Sequence, residues 1–264
     1  MHRRDPAVRA VERKSPANDR RRAVLAAVAC VIACSGGARA SDLVPDDRRQ
    51  SSVVPYVWGA AARGDARLQS LPPVAFERGF RDTLSDLEAG GMLVFETRRG
   101  AWGLLSEMTY VDTARDVRVP ALGIDGTFDT RLATAAALAT YRAIDTSTWS
   151  LDVLAGARHW DIGLHAQIDA PLILGRRVDM AWTDPLLGLK LGWRPAARHG
   201  VTVWAIGGLV DGVPADVLAS YGFGLTPSLW LRIGYRQLSV RRQSGGGDVD
   251  LSMAGPGAGL EFRF

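Results

Sequence analysis

The chain has 264 residues with 32 Lys+Arg against 28 Asp+Glu, but residues 1–40 alone carry nine basic and three acidic side chains. The remainder holds 23 basic against 25 acidic residues, a net charge near −2, so no basic patch for nucleic acid survives once that leader is set aside. Both cysteines, Cys30 and Cys34, also lie in the leader, which excludes disulfides, thiolate metal sites and cysteine nucleophiles from residues 41–264.

In the leader, Arg20, Arg21 and Arg22 precede the 12-residue apolar run Ala23–Cys34, and Ala38-Arg39-Ala40 supplies a small-x-small cleavage pattern. A membrane-spanning helix needs about 20 apolar residues. The run therefore reads as part of a cleaved Sec-type signal peptide over 1–40, leaving Ser41 as the mature N-terminus. Two other readings compete. Val31-Ile32-Ala33-Cys34 loosely resembles a lipoprotein box that would lipidate Cys34, without the usual Leu and Gly. Arg21-Arg22 ahead of Ala23-Val24-Leu25 loosely resembles a twin-arginine signal. That pathway carries folded cargo, which does not suit the strand pattern that follows.

Residues 41–52 read as a periplasmic N-terminal segment and 53–264 as one β domain. Residues 41–264 contain no run of 18 apolar residues, so no helix spans a membrane. Ten strands are predicted: 53–63, 90–99, 101–112, 127–143, 148–162, 179–194, 199–211, 216–226, 228–241 and 249–264. The connections at Arg99-Gly100, Asp145–Ser147, Pro195–His199 and Pro227-Ser228 are short, whereas 64–89, 113–126, 163–178 and 242–248 are longer; 212–215 is the exception. Strands 53–63 and 90–99 alternate too poorly for their faces to be assigned. Elsewhere the period of two that places i, i+2 and i+4 on one face is plain. Trp102, Leu104, Met108 and Tyr110 oppose Gly103 and Glu107, and Trp149, Leu151, Val153 and Ala155 oppose Asp152, Gly156 and Arg158. Leu187, Leu189, Leu191 and Trp193 oppose Gly188, Lys190, Gly192 and Arg194, while Leu231, Ile233 and Tyr235 oppose Arg232, Gly234 and Arg236. The closing strand sets Ala258, Leu260, Phe262 and Phe264 against Gly257, Gly259, Glu261 and Arg263.

Alternation alone does not say which face points inward. A soluble periplasmic lipocalin-like carrier would bury the greasy face; a transmembrane barrel would turn it to lipid. Glycines on the charged face, aromatics at strand ends on the greasy face, and the terminal Phe264 favour the second arrangement. The blocks Pro55–Ala60, Gly100–Leu105, Leu154–Asp161, Trp182–Gly188, Gly234–Arg236 and Gly257–Phe264 resemble those of poorly characterised proteobacterial outer-membrane β-barrel proteins, broadly similar to small OmpA-like and opacity-type barrels. The resemblance covers most of 53–264 and is weakest at Ala114–Leu122 and Pro171–Arg177. It implies an all-β, antiparallel transmembrane barrel of about ten strands, with eight or twelve as alternatives, in the outer membrane of a Gram-negative bacterium. It also implies lipopolysaccharide as neighbour, the barrel-assembly machinery as partner during biogenesis, and Phe262 and Phe264 as a C-terminal insertion signal. It brings no catalytic residues, and the oligomeric state stays open.

The charged face gives the lumen Arg131, Arg158, Lys190, Arg194, Arg232, Arg236 and Arg263 against Glu107, Asp129, Asp152, Asp184 and Glu261. So balanced a set is expected to form an ion-pair network, because unpaired buried charges are costly. With Trp160 and Trp182 also pointing inward, ten strands leave a largely occluded interior, since eight leave one that side chains just fill. The expected role is structural or surface-interacting, with a narrow, weakly anion-leaning pore as the functional reading of the same charges. A rim enzyme is the alternative: His159 and His165 have Asp161 and Asp169 close by, and an Asp-His pair can activate water. No serine-histidine signature accompanies them, and Asp-x-Asp spacing of the omptin kind occurs only as Asp248 and Asp250. No cofactor is expected, because His159, His165 and His199 lack paired ligand spacing and Gly245-Gly246-Gly247 lies between strands. Phe80–Leu87 reads as a short amphipathic helix in the first external loop.

Overall fold

The computed structural model describes residues 49–68, 74–78, 87–119, 124–169, 174–209, 215–244 and 247–264. The expected signal peptide over 1–40, residues 41–48 of the expected N-terminal segment, and the expected helix except Leu87 lie outside them. Among the described residues the elements are β1 (Gln50–Trp58), β2 (Ala61–Leu68), β3 (Val74–Arg78), β4 (Leu87–Arg99), β5 (Trp102–Val119), β6 (Ile124–Asp145), β7 (Trp149–Asp169), β8 (Leu174–Ala196), β9 (His199–Gly208), β10 (Ala215–Gly224), β11 (Leu229–Ser244) and β12 (Gly247–Arg263). Strands β4 to β12 pair with their sequence neighbours, and β1 closes the ring between β4 and β12. Strand β2 resumes the line of β1 along β12 after a break at Gly59-Ala60, and β3 is an additional strand on its far side. Counting β1 and β2 as one interrupted strand, the wall is a closed, antiparallel, ten-stranded barrel.

At one end the turns are tight. Gly100 turns β4 into β5 at φ 58°, a left-handed conformation that a side chain disfavours. Thr146 and Thr226 close their turns alike: each hydroxyl accepts from the backbone N–H three residues on, of Trp149 (2.9 Å) and Leu229 (3.0 Å). Arg198 donates to the carbonyls of Gly224 (2.7 Å) and Leu225 (2.9 Å), tying two neighbouring turns together. The seam closes at this end too, where Ser51 and Phe264 exchange both backbone bonds at 2.9 Å.

Strands β5 to β8 run much further at the other end than the alternation suggests. The expected loops 113–126 and 163–178 are largely strand, with β6 and β8 reaching 22 and 23 residues. The apolar signal stops near Tyr110 and Ala157, but the backbone ladder continues through Val119↔Ile124 and Ile168↔Leu174. Beyond the apolar band both faces tolerate polar side chains, so the hydrophobic pattern fades while pairing does not.

The ladder fixes the faces. Trp102, Met108, Leu189, Ile233, Tyr235 and Phe262 project outward and stay exposed, Trp102 by 64 % and Leu189 by 51 %. The outward apolar positions occupy nine residues on each of several strands: 102–110, 149–157, 185–193 and 256–264. Nine residues span about 27 Å along a strand, and a tilted membrane strand needs about 9–11. At the tight-turn end this band is bordered by aromatics, with Trp102 5.0 Å from Tyr141 and Trp149 stacked on Trp193 at 5.5 Å. The interior is less uniformly charged than the pattern implies. Leu105, Leu138, Leu154, Leu186 and Ile206 are buried there as one apolar cluster, and Trp160, Leu238, Val240, Leu251 and Met253 as another.

Two glycines test this closure. A Cβ on Gly255 would sit 2.0 Å from the Gly59 carbonyl oxygen, beside the β1–β2 break, whereas one on Gly200 would meet nothing nearer than 3.7 Å. Gly255→Val is expected to abolish the compact, detergent-resistant form on an unheated gel, and Gly200→Ala to leave it intact.

Candidate functional site

Four strands deliver the central charges. Glu107 comes from β5, Arg158 from β7, Asp216 from β10 and Arg236 from β11, all on lumen-facing positions. In a ring of ten, β5 and β10 stand on opposite walls, so the cluster crosses the lumen. Arg158 donates through Nη2 to Glu107 Oε2 (2.9 Å) and Asp216 Oδ2 (2.6 Å). Arg236 grips the same two acids: Nε to Asp216 Oδ1 at 2.9 Å, Nη2 to Asp216 Oδ2 at 2.6 Å and to Glu107 Oε2 at 2.8 Å, and Nη1 to Glu107 Oε1. Tyr56 donates its hydroxyl to Glu107 Oε1 (2.8 Å) and accepts from Arg236 Nη1 (2.7 Å), and Trp204 Nε1 donates to Asp216 at 3.2 Å. The rings of Trp58 and Trp204 lie 5.2 and 5.7 Å from the Arg236 guanidinium carbon. Two cations and two carboxylates, each at most 5 % exposed, thus form a neutral, charge-assisted plug.

Further ion pairs line the lumen toward the tight turns. Asp152, 1 % exposed, accepts from Arg98 at 2.8 Å and Arg142 at 2.5 Å; Lys190 meets Glu96 at 2.5 Å; Glu261 meets Arg232 at 2.7 Å and Arg263 at 2.8 Å. Arg263 also lies 3.8 Å above the Trp230 ring. On the other side of the plug most of the described inward side chains are apolar, with Trp160 stacked on Trp182 at 5.8 Å. There Asp184 accepts from Trp182 Nε1 (2.9 Å) and faces Arg242 at 3.7 Å.

Nine of the charges assigned to the lumen from sequence sit in these layers: Glu107, Asp152, Arg158, Asp184, Lys190, Arg232, Arg236, Glu261 and Arg263. Three do not. Asp129 and Arg131 occupy odd positions on β6, whose even positions face inward, and they project outward beyond the apolar band. Both faces of that strand are Ala- and Thr-rich, so alternation could not choose between them; the register Glu107↔Ala136 does. Arg194 falls past the Trp193 girdle and is 59 % exposed at a turn, 4.0 Å from Asp145. Asp216, Tyr56, Glu96, Arg98 and Arg142 were missed. Asp216 was within reach, since it shares parity with the inward Leu218 and Ser220.

Among the described residues, the two rim histidines have these neighbours. His159 points outward with Nδ1 2.9 Å from Thr183 Oγ1, and Asp161 is held by Arg131 at 3.1 Å. His165 stands opposite Asp129 and Arg177 in the ladder, and Arg177 binds Asp179 at 2.7 Å, a hydrogen bond that raises the guanidinium pKa above its ordinary value. Asp250 projects outward and is paired with Arg241 at 2.8 Å; the side chains of Asp169 and Asp248 lie outside the described residues. Among the described residues, no group of three His, Cys, Asp or Glu could hold a metal ion.

No protein-family profile and no curated sequence matches the chain. Among solved structures it is similar to the outer-membrane protease OmpT of Escherichia coli: 7 % identity and a TM-score of 0.54 over 85 % of this chain and 99 % of that one. It also matches the translocator domain of the autotransporter NalP from Neisseria meningitidis (10 % identity, TM-score 0.42, 94 % and 98 % covered). A third match is Ail of Yersinia pestis (15 % identity, TM-score 0.35, 82 % and 98 % covered). At 7 % identity the likeness to OmpT is one of fold: the chain has the fold of the outer-membrane β-barrels.

Removing one arm of a buried charge cluster strands its partners, at a cost of about 3–5 kcal/mol. Arg236→Met is expected to lose that much in urea unfolding from lipid vesicles. The double variant Arg236→Met/Asp216→Leu, which leaves Arg158 with Glu107, is expected to regain more than half.

Proposed function

We propose that the chain is an integral protein of a Gram-negative outer membrane whose closed barrel has a structural or surface-interaction role, neither conducting nor catalytic. The observation that carries this reading is the outward apolar band, nine residues tall, around a lumen crossed by Glu107, Arg158, Asp216 and Arg236. Its height suits a bilayer better than water, where so much exposed apolar area would drive aggregation. The plug and the Trp160–Trp182 stack argue against a conducting path. Asp161, the acid nearest His159 in sequence, is held by Arg131, and His159 itself bonds Thr183, which counts against that pair as a water-activating dyad. Export through the Sec pathway with cleavage after Ala40, insertion by the barrel-assembly machinery using Phe262 and Phe264, and contact with lipopolysaccharide belong to the same proposal. Strands β5 to β8 reach past the band and offer the surface for interaction.

The test is a gel of membrane-extracted protein with and without boiling, joined to one substitution. A heat-dependent shift in the outer-membrane fraction is expected, because all wall hydrogen bonds are closed within the cylinder. Leu189→Arg, in the middle of the band, is expected to cost about 2–4 kcal/mol in lipid. A soluble protein without a shift, indifferent to Leu189→Arg, would refute the membrane reading. His159→Ala and His165→Ala are expected to leave any peptidase or lipid-deacylase activity of purified barrel unchanged; a loss would restore the rim enzyme.

A further inference from the structure

Between the plug and the tight-turn end, the lumen is not filled. A cavity of about 110 Å³ remains there, and on this measure one water takes about 10–15 Å³. Its room comes from sequence: Gly234 on β11 faces Gly257 on β12, and Gly259 follows on the same inward face, so this wall has no side chains at these positions. The other walls are chemically divided. Trp58, Trp204, Val54 and Leu218 give flat and apolar surface, while Lys190 and Arg232 bring cations to the same space.

We propose that this cavity binds a small organic anion, a carboxylate on a flat apolar body, entering from the tight-turn end and stopped by the plug. Charge favours this sign of ligand. Among the described residues of that half, Arg98, Arg142, Lys190, Arg232 and Arg263 outnumber Glu96, Asp145, Asp152 and Glu261. Water reaches the site, since Glu96 is 34 % exposed although it faces the lumen. Its carboxylate can turn into that water and leave Lys190 to an incoming carboxylate, an exchange of one anion for another on the same ammonium. The neighbouring Arg232 is fixed by Glu261 and by Thr202 Oγ1 at 3.1 Å, so it supplies field rather than a free donor. The indoles of Trp58 and Trp204 flank Arg236 and line the same space. A flat body gains apolar contact there without further ordering of the protein, which is the general make-up of small-molecule sites: mostly apolar walls with few fixed polar groups.

The inference rests on the closed-lumen reading above, because an open lumen would let the anion through. Benzoate is the probe, titrated calorimetrically into the full chain folded in detergent micelles, with the heat-dependent gel shift checked for every sample. Saturable binding of one benzoate is expected, with benzyl alcohol weaker by about tenfold or more for want of the charge-assisted contact. Lys190→Met is expected to weaken benzoate by a similar factor, and Val54→Phe, which fills the cavity, to abolish binding. Leu218→Phe, on β10, fills it from another side if Val54→Phe does not fold. Absence of saturable binding, equal affinity for benzyl alcohol, or benzoate binding that survives the filling variant would overturn the proposal. Failure of the barrel reading shows separately, as a wild-type protein without the heat shift, and failure of the closed lumen as steady wild-type conductance in a planar bilayer.

Discussion

Backbone amides and carbonyls that face hydrocarbon have no water to bond, and each left unpaired costs several kcal/mol. A sheet can meet that demand only by leaving no edge across the apolar band. This one does so by folding its first strand back onto its last, Ser52 against Arg263 and Trp58 against Gly257. The rest of the molecule follows from closure. A closed ring of ten has an inside that must be filled or wetted, an outside that must match its solvent, and two rims where each constraint relaxes.

The inside meets the demand in layers rather than with one chemistry. Leucines and tryptophans occupy most of the space, and charge is confined to clusters in which nearly every carboxylate has a guanidinium or ammonium within hydrogen-bonding distance. Burying four charges is unfavourable in isolation, and what offsets it is bidentate geometry together with Tyr56 and Trp204 as additional donors. The band outside is limited in height, and above it on β6 to β8 polar residues such as Arg131, Asp161 and Asp179 take over outward positions.

How much of this could be read from sequence depended on whether a strand's two faces differ. On β8, β11 and β12 a leucine-aromatic face stands against lysine, arginine and glycine, and the inward set was legible there apart from Arg194 at the turn. On β6, Ala133, Ala135, Ala137 and Ala139 alternate with Leu132, Thr134, Ala136 and Leu138, two faces of nearly equal polarity, and only the pairing with β5 decides. Strand ends were lost for a related reason. Apolar alternation marks where the solvent is apolar, so it reports the band and not the ladder, which runs on past Tyr110 to Val119 on β5 and begins at Leu174, well before Pro185, on β8. The plug itself was visible as a list of charges but not as a cluster. Glu107 and Arg236 are 129 residues apart, and nothing local to either names the other.

That separation bears on the order of assembly. The plug draws on β5, β7, β10 and β11, with Tyr56 from β1, so its charges neutralise one another only when the ring is complete. In a partial sheet the same residues form a polar stripe that is stable only while hydrated. Burial of the inward face and arrival of the last strands are therefore one event: an unfinished sheet keeps its charged side wet, and the completed cylinder excludes water from the plug it has just paired.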